Sequence, residues 1–154
     1  MRVQIGSEAP DFTLADQDGN DWTLSAQRGA PVVLYFYPKD DTPGCTTQGC
    51  DIRDNWSAFS EAGAVVAGIS PDTAQSHAKF AGKYGFPHTL LADVDKAVLQ
   101  AYGAWGERSM YGKTFMGVLR SSVVIGTDGT VAAVFDKIKP SEQSAKALEI
   151  LSGL

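Results

Sequence analysis

The chain has 154 residues, 44% of them hydrophobic and 20% charged, with a formal net charge of −5. Its size and apolar fraction suit one compact domain spanning residues 1–154, burying roughly 70% of the surface its unfolded chain exposes. The acidic balance argues against a nucleic-acid or anionic-membrane surface, since both want clustered Lys and Arg.

The opening residues Met1-Arg2-Val3-Gln4-Ile5-Gly6 hold no apolar leader core, and no run of about 18 apolar residues follows. A cytoplasmic protein is therefore expected, and a monomer. Residues 11–14 and 21–24 flank Asp18-Gly19 and read as a short hairpin. Next comes a continuous apolar run, residues 32–37, typical of a strand covered on both faces. Residues 46–62 are helical by spacing, with Ile52, Trp56 and Phe59 recurring at i, i+4 and i+7.

A second buried strand, 64–69, runs into Ser70-Pro71-Asp72, which supplies cap and first-turn residues for a helix through about Tyr84. Residues 89–91 form a short strand and 95–102 a short helix. Residues 103–119 show no clear period, and a connection that long is usually functional. Strands at 122–125 and 131–135 flank Asp128-Gly129, and Pro140-Ser141-Glu142 opens a last helix ending near Gly153. Strands alternating with helices, then a terminal hairpin and helix, imply an α/β domain with a mixed central sheet flanked by helices.

The only two cysteines, Cys45 and Cys50, follow the first buried strand and sit at the start of the first long helix. In a reducing compartment such a pair is transient and catalytic rather than structural. With His77 and His88 they show no zinc-like spacing, so neither a metal nor a cofactor is expected. At about 100° per residue, Cys45 falls in line with Ile52, Trp56 and Phe59 on the core face. Cys50 lies about 140° around, with Asp54, Ser57 and Glu61 on the wet face. Their roles should differ.

An unperturbed thiol is only a few per cent thiolate at neutral pH, and a helix N-terminus favours the anion. Asp40 and Asp41 oppose it unless they point to solvent, so a distant cation is needed. Arg120, at the head of the predicted strand, is the candidate, because its planar guanidinium can fork two hydrogen bonds. Taken alone it is equally a surface arginine. Thr42 likewise has a bland reading, a hydroxyl bonded to the turn backbone. His77 reads as a boundary residue, and His88 carries no assigned chemistry.

Pro38-x-x-x-Thr42-x-x-Cys45 matches the peroxiredoxin active-site pattern. The wider Tyr35-Phe36-Tyr37-Pro38-Lys39 and Thr42-Pro43-Gly44-Cys45-Thr46, with a second cysteine five positions on, resembles the bacterioferritin-comigratory (peroxiredoxin Q) branch. The resemblance extends through Ala9-Pro10-Asp11-Phe12, Gly68-Ile69-Ser70, Tyr102-Gly103-Ala104-Trp105-Gly106-Glu107 and Gly117-Val118-Leu119-Arg120-Ser121. It implies a thioredoxin fold with an N-terminal β-hairpin extension. It also implies a thiol-dependent peroxidase with Cys45 as peroxidatic and Cys50 as resolving cysteine. Pro38 would shield the pocket, and Thr42, Arg120 and backbone N–H groups near Thr46 would stabilise the reacting oxygens. The partners implied are a hydroperoxide substrate and thioredoxin or a similar dithiol, which would reopen a Cys45–Cys50 disulfide.

Two other classes compete. A protein disulfide oxidoreductase predicts Cys-x-x-Cys, whereas four residues intervene here. A redox-regulated holdase makes no demand for Thr42 or Arg120. The weak helix formers Thr46, Thr47 and Gly49 should let the helix unwind, and Gly49→Ala should stiffen it by up to about 1 kcal/mol.

Overall fold

A computed structural model describes residues 1–154. A seven-stranded sheet runs, in order, β2 (Asp21–Thr23), β1 (Thr13–Asp16), β5 (Thr89–Ala92), β4 (Val65–Ser70), β3 (Val32–Phe36), β8 (Ser121–Ile125) and β9 (Val131–Phe135). Its centre is β3 (Val32–Phe36), paired parallel to β4 (Val65–Ser70), which pairs parallel to β5 (Thr89–Ala92). On the other side β3 meets β8 (Ser121–Ile125) antiparallel, and β8 meets β9 (Val131–Phe135). The N-terminal hairpin, β1 (Thr13–Asp16) with β2 (Asp21–Thr23), adds onto β5 antiparallel. The sheet is mixed, as expected, and the fold is that of thioredoxin with an N-terminal hairpin.

Successive β3 side chains point to opposite faces. Val32, Leu34 and Phe36 enter one core with Leu99 and Tyr102 of α4 (Ala97–Tyr102). Val33 and Tyr35 enter a second core, with Cys45 and Ile52 of α1 (Pro43–Asp54) and Phe59 of α2 (Trp56–Glu61). Phe80 of α3 (Ala74–Tyr84) and Leu151 of α5 (Gln143–Ser152) complete it. Helices therefore cover both faces, which is why β3 reads as an uninterrupted apolar run. No helix is long and apolar enough to cross a membrane.

Three expectations change. The helix expected over 46–62 begins at Pro43 and breaks at Asn55. There the Asn55 side-chain amide donates to the Asp51 carbonyl at 2.8 Å, competing with the helical ladder. The cap of α3 is Thr73, whose hydroxyl accepts from the Ser76 N–H at 3.1 Å, because Asp72 is drawn away to the Asp40 N–H at 2.8 Å. Residues 103–119 are no irregular connection. They form a separate two-stranded ribbon, β6 (Trp105–Met110) and β7 (Lys113–Val118), turning at Tyr111 and Gly112, both with positive φ.

Candidate active site

The carboxyl end of β3 delivers the chain into a tight corner, Pro38 to Thr42, from which α1 departs. Asp41 takes a left-handed φ of 56°, which a short polar side chain tolerates better than most. Its carboxylate accepts from Lys83 Nζ and Tyr84 Oη, both at 2.8 Å, and these donors hold it below the usual carboxylate range. Asp40 is buried. It accepts from Tyr37 Oη at 2.6 Å and Ser76 Oγ at 2.7 Å, and lies 2.7 Å from His77 Nδ1. Both carboxylates are thus tied to α3 by hydrogen bonds, Asp40 inside the protein and Asp41 at the solvent-exposed surface.

His77 is fully buried, not a boundary residue, and its Nε2 bonds the Leu91 carbonyl at 3.0 Å. Asp40, Asp72 and His77 converge within 4.8 Å, and hydrogen bonds to their neighbours occupy them.

Cys45 lies in the first turn of α1, 2% exposed, on the same face as Ile52. Arg120, immediately before β8, donates from Nη2 to Cys45 Sγ at 3.4 Å. The guanidinium can lie this close because residue 44 is glycine: a Cβ there would stand 3.0 Å from Nη2. Its other arm, Nη1, donates to Gln48 Oε1 at 2.6 Å. Gln48 in turn donates to Gln143 Oε1 at 2.9 Å, and Gln143 donates to Ser122 Oγ at 3.0 Å. Gln48, Gln143 and Ser122 are all fully buried. The chain of bonds ends at the Leu34 carbonyl, 3.0 Å from Ser122 Oγ, and so anchors Arg120 to the central strand. Fixed donors of this kind cost little reorganisation when charge moves nearby.

The structure therefore brings Arg120 onto Cys45 across 75 positions of sequence. Thr42 precedes α1 as its cap residue, with its hydroxyl donating to the Lys39 carbonyl at 2.7 Å, so the bland reading of that bond holds. Of the N–H groups near Thr46 expected to face the reacting oxygens, that of Thr46 itself donates to the Thr42 carbonyl at 2.8 Å. The open N–H groups are those of Gly44 and Cys45, which find no backbone acceptor. Pro38 is half-buried just beyond β3. Cys50 is half-buried against the second core, less wet than expected, while Asp54, Ser57 and Glu61 are exposed.

Gln48 and Gln143 were not singled out from sequence. A signal existed for Gln48: with Cys45, Gly49 and Ile52 it completes the i, i+3, i+4, i+7 buried face of α1, and a polar residue on such a face needs a partner.

Beneath that face the Phe86 ring packs on Gly49, where a Cβ would come 2.7 Å from Cε2. Phe86 cannot swing aside, since its ring stacks on His88 at 5.1 Å and meets Phe80 edge-on at 4.9 Å. Gly49→Ala is therefore expected to lower stability, contrary to the expected stiffening. Overpacking costs about 1–3 kcal/mol, against a helix-propensity gain of up to about 1 kcal/mol. A higher urea midpoint for the variant would refute the clash.

His88 is also buried, with Nε2 at 2.7 Å from Tyr35 Oη and Nδ1 without any partner. Burial depresses its pKa to about 3. Tyr35 is held well above its usual range, first by burial and then by the charges of Cys45 and Asp40. Above about pH 6.5 His88 is neutral whether the chain is folded or not. As pH falls from there towards 3, the unfolded chain takes up a proton that the folded one does not. Stability is lost by up to about 1.4 kcal/mol per pH unit. His88→Gln should flatten this part of the stability-versus-pH curve. An unchanged acid slope would show that other groups set it.

The AhpC/TSA family model matches residues 5–134. The Bacillus subtilis peroxiredoxin Bcp is 40% identical over 154 residues, covering 100% of this chain and 98% of that protein. The Escherichia coli peroxiredoxin Bcp is 45% identical over 139 residues, covering 90% and 89%. Among solved structures, the bacterioferritin comigratory protein of Xanthomonas campestris, studied for alkyl peroxide reduction, superposes with a TM-score of 0.89. It shares 35% identity, over 99% of this chain and 97% of that one.

Proposed function

The chain belongs to the AhpC/TSA family, on its peroxiredoxin Bcp (peroxiredoxin Q) branch, and is a thiol-dependent peroxidase; on that footing we propose that it reduces hydroperoxides through Cys45 and is recycled by thioredoxin or a similar dithiol. The observation that carries this reading is the Arg120 guanidinium, 3.4 Å from Cys45 Sγ and locked in place by Gln48. An inert core cysteine has no need of a half-buried, braced cation.

In the proposed cycle the Cys45 thiolate attacks one peroxide oxygen and the O–O bond breaks. The second oxygen leaves as hydroxide or alkoxide and takes a proton, while sulfur is oxidised to sulfenic acid. Negative charge moves from sulfur to the leaving oxygen, towards Arg120, the free N–H groups of Gly44 and Cys45, and the Thr42 hydroxyl once it rotates away from the Lys39 carbonyl. Pro38, at the corner before α1, shields the thiolate from water. The Cys50 thiol then condenses with the sulfenic acid, forming an intramolecular disulfide and releasing water. The external dithiol reduces that disulfide and becomes oxidised itself. A sheet that draws strands from Thr13 to Phe135 supports residues 1–154 acting as one domain.

Peroxide consumption by the reduced protein, with and without thioredoxin, tests the reading. Thioredoxin should convert a single turnover into steady consumption, and no gain over the thiol-free blank would overturn it. Arg120→Lys keeps the charge but loses the planar fork. It should slow the peroxide step by more than about tenfold, equivalent to about 1.4 kcal/mol, with little effect on reduction of the disulfide. An unaltered peroxide rate would return Arg120 to a packing role.

A further inference from the structure

His88 is buried, the proposed cycle makes no use of it, and its Nδ1 is the one buried side-chain nitrogen or oxygen without a hydrogen-bond partner. Nε2 has a single partner, Tyr35 Oη of β3, at 2.7 Å. Aromatic rings pack against the imidazole: Phe86 stacks on it at 5.1 Å, and Trp56 of α2 lies 6.4 Å away between centroids. No carboxylate bonds the ring. The ionisable groups of Cys45, Cys50, Asp40 and Arg120 act on Tyr35 beyond it, and the Gln17 amide meets only the His88 backbone carbonyl, at 3.4 Å. An imidazolium carries two N–H donors, and this site offers one acceptor. Protonation in the closed protein would bury a cation with one donor unmet, and burial alone holds the His88 pKa down to about 3.

Helix α1 covers this site. Phe86 lies between His88 and Gly49, where a Cβ would stand 2.7 Å from Cε2 of the ring. Gly49 adjoins Cys50, and the two cysteines can bridge only when α1 unwinds, because residues five apart in a helix exceed the roughly 4.4–6.8 Å between Cα atoms that a disulfide accepts. The movement that joins the sulfurs strips the cover from Phe86 and lets water reach the imidazole beneath it. We propose that His88 is a proton-binding site coupled to the redox state of the cysteines, closed in the dithiol form and open in the disulfide form. This rests on the Cys45–Cys50 disulfide of the proposed cycle.

In mild acid, the dithiol protein, one hydrogen peroxide and one proton then give the disulfide protein with His88 protonated and two waters. Each sulfur gives up one electron to the peroxide, both thiol hydrogens leave in water, and the added proton stays on the imidazole. An open His88 regains the ordinary histidine pKa of about 6.5. Between that value and about pH 3 only the disulfide form holds the proton, so each pH unit lost there favours disulfide over dithiol by up to about tenfold. Above about pH 6.5 the imidazole is neutral in both forms and the coupling vanishes.

The chain has only two histidines, so proton NMR of the imidazoles follows each directly. In disulfide protein made with one equivalent of hydrogen peroxide, His88 should titrate with a midpoint near pH 6.5, whereas in the dithiol protein it should not titrate between about pH 5 and 8. His77 is the internal reference, its nitrogens held by Asp40 and the Leu91 carbonyl away from α1. A second measurement counts protons taken up from unbuffered solution as hydrogen peroxide oxidises the dithiol. Oxidation of a Cys45 thiolate also consumes protons, so the His88→Gln value is subtracted. The difference should be about 0.9 proton per molecule at pH 5.5 and under about 0.1 at pH 7.5.

The same His88 titration in both redox forms would overturn the proposal, as would equal proton uptake by wild type and variant. Should His88→Gln fail to fold, the wild-type spectra alone decide. Cysteines that never bridge would fault the peroxidase cycle, and the coupling with it. A bridged protein whose His88 stays silent would sink the coupling alone.

Discussion

Cys45→Ser should abolish peroxide reduction, while Cys50→Ser should react once and then stop. A serine hydroxyl supplies no anion at neutral pH, so the Arg120 guanidinium would face a group that cannot attack. In Cys50→Ser the first step stays intact, because Cys50 is no part of the Arg120–Gln48 brace. Without a resolving thiol the sulfenic acid persists, and further peroxide drives it to sulfinic acid. Peroxide consumed per protein, followed with the mass of the protein, separates the two variants. Cys45→Ser should consume none; Cys50→Ser should consume one equivalent and gain one oxygen atom at stoichiometric peroxide, and a second of each only under excess peroxide. Substantial turnover by Cys45→Ser would undo the assignment of the sulfurs.

The second large effect expected is the loss of α1 in the oxidised protein. Residues five apart in an α-helix have Cα atoms about 8.7 Å apart, from a radius of about 2.3 Å and a rise of about 1.5 Å per residue. A disulfide accepts roughly 4.4–6.8 Å. Both cysteines lie within one unbroken helix, so they cannot bond until its first turns unwind. Thr46, Thr47 and Gly49 make that cheap in propensity, and freed backbone returns about 1–2 kcal/mol of entropy per residue.

The structure adds opposing terms that propensity omits. Unwinding removes Gln48 from Arg120 and Gln143, and lifts Gly49 off Phe86. It should be checked near the far end, where Ile52 is fully buried and the Asp51 carboxylate accepts from the Ser144 N–H at 2.8 Å. Oxidation should therefore speed amide exchange across α1, change Trp56 emission, and leave the central strands protected, with reversal by thioredoxin. Equal protection of α1 in the two redox states would refute the unwinding.

Much of this site was legible in the chain. The apolar run at β3 marked the central strand, and the pattern of Pro38, Thr42, Cys45 and Arg120 marked the corner where the structure brings Arg120 onto Cys45. What escaped depends on tertiary placement. Gln48 takes its meaning from Arg120 and Gln143, 72 and 95 positions away. His77 reads as a boundary residue of its helix and His88 as a loop residue, until the packing of α3 and β5 into the fold buries both. The β6–β7 ribbon was missed because its turn places Tyr111 at a φ of 51°, a conformation for which Asn, Asp or Gly is the usual sign. Gly49 was read as a weak point in a helix. Its missing side chain instead makes room for a ring from the loop after α3.

The position of β3 also bears on how the chain is made. One neighbour, β4, is translated soon after it, but the other, β8, contains Ser122, which reaches back 88 positions to bond Leu34. At about 5–20 residues per second, a ribosome needs on the order of ten seconds to cover that interval. Throughout it, the most apolar strand of the nascent chain has one edge unpaired, and such an edge is a template for association between chains. A slowly translated message or scarce chaperone should therefore favour inclusion bodies seeded by residues 32–36, even though the finished protein buries that strand completely.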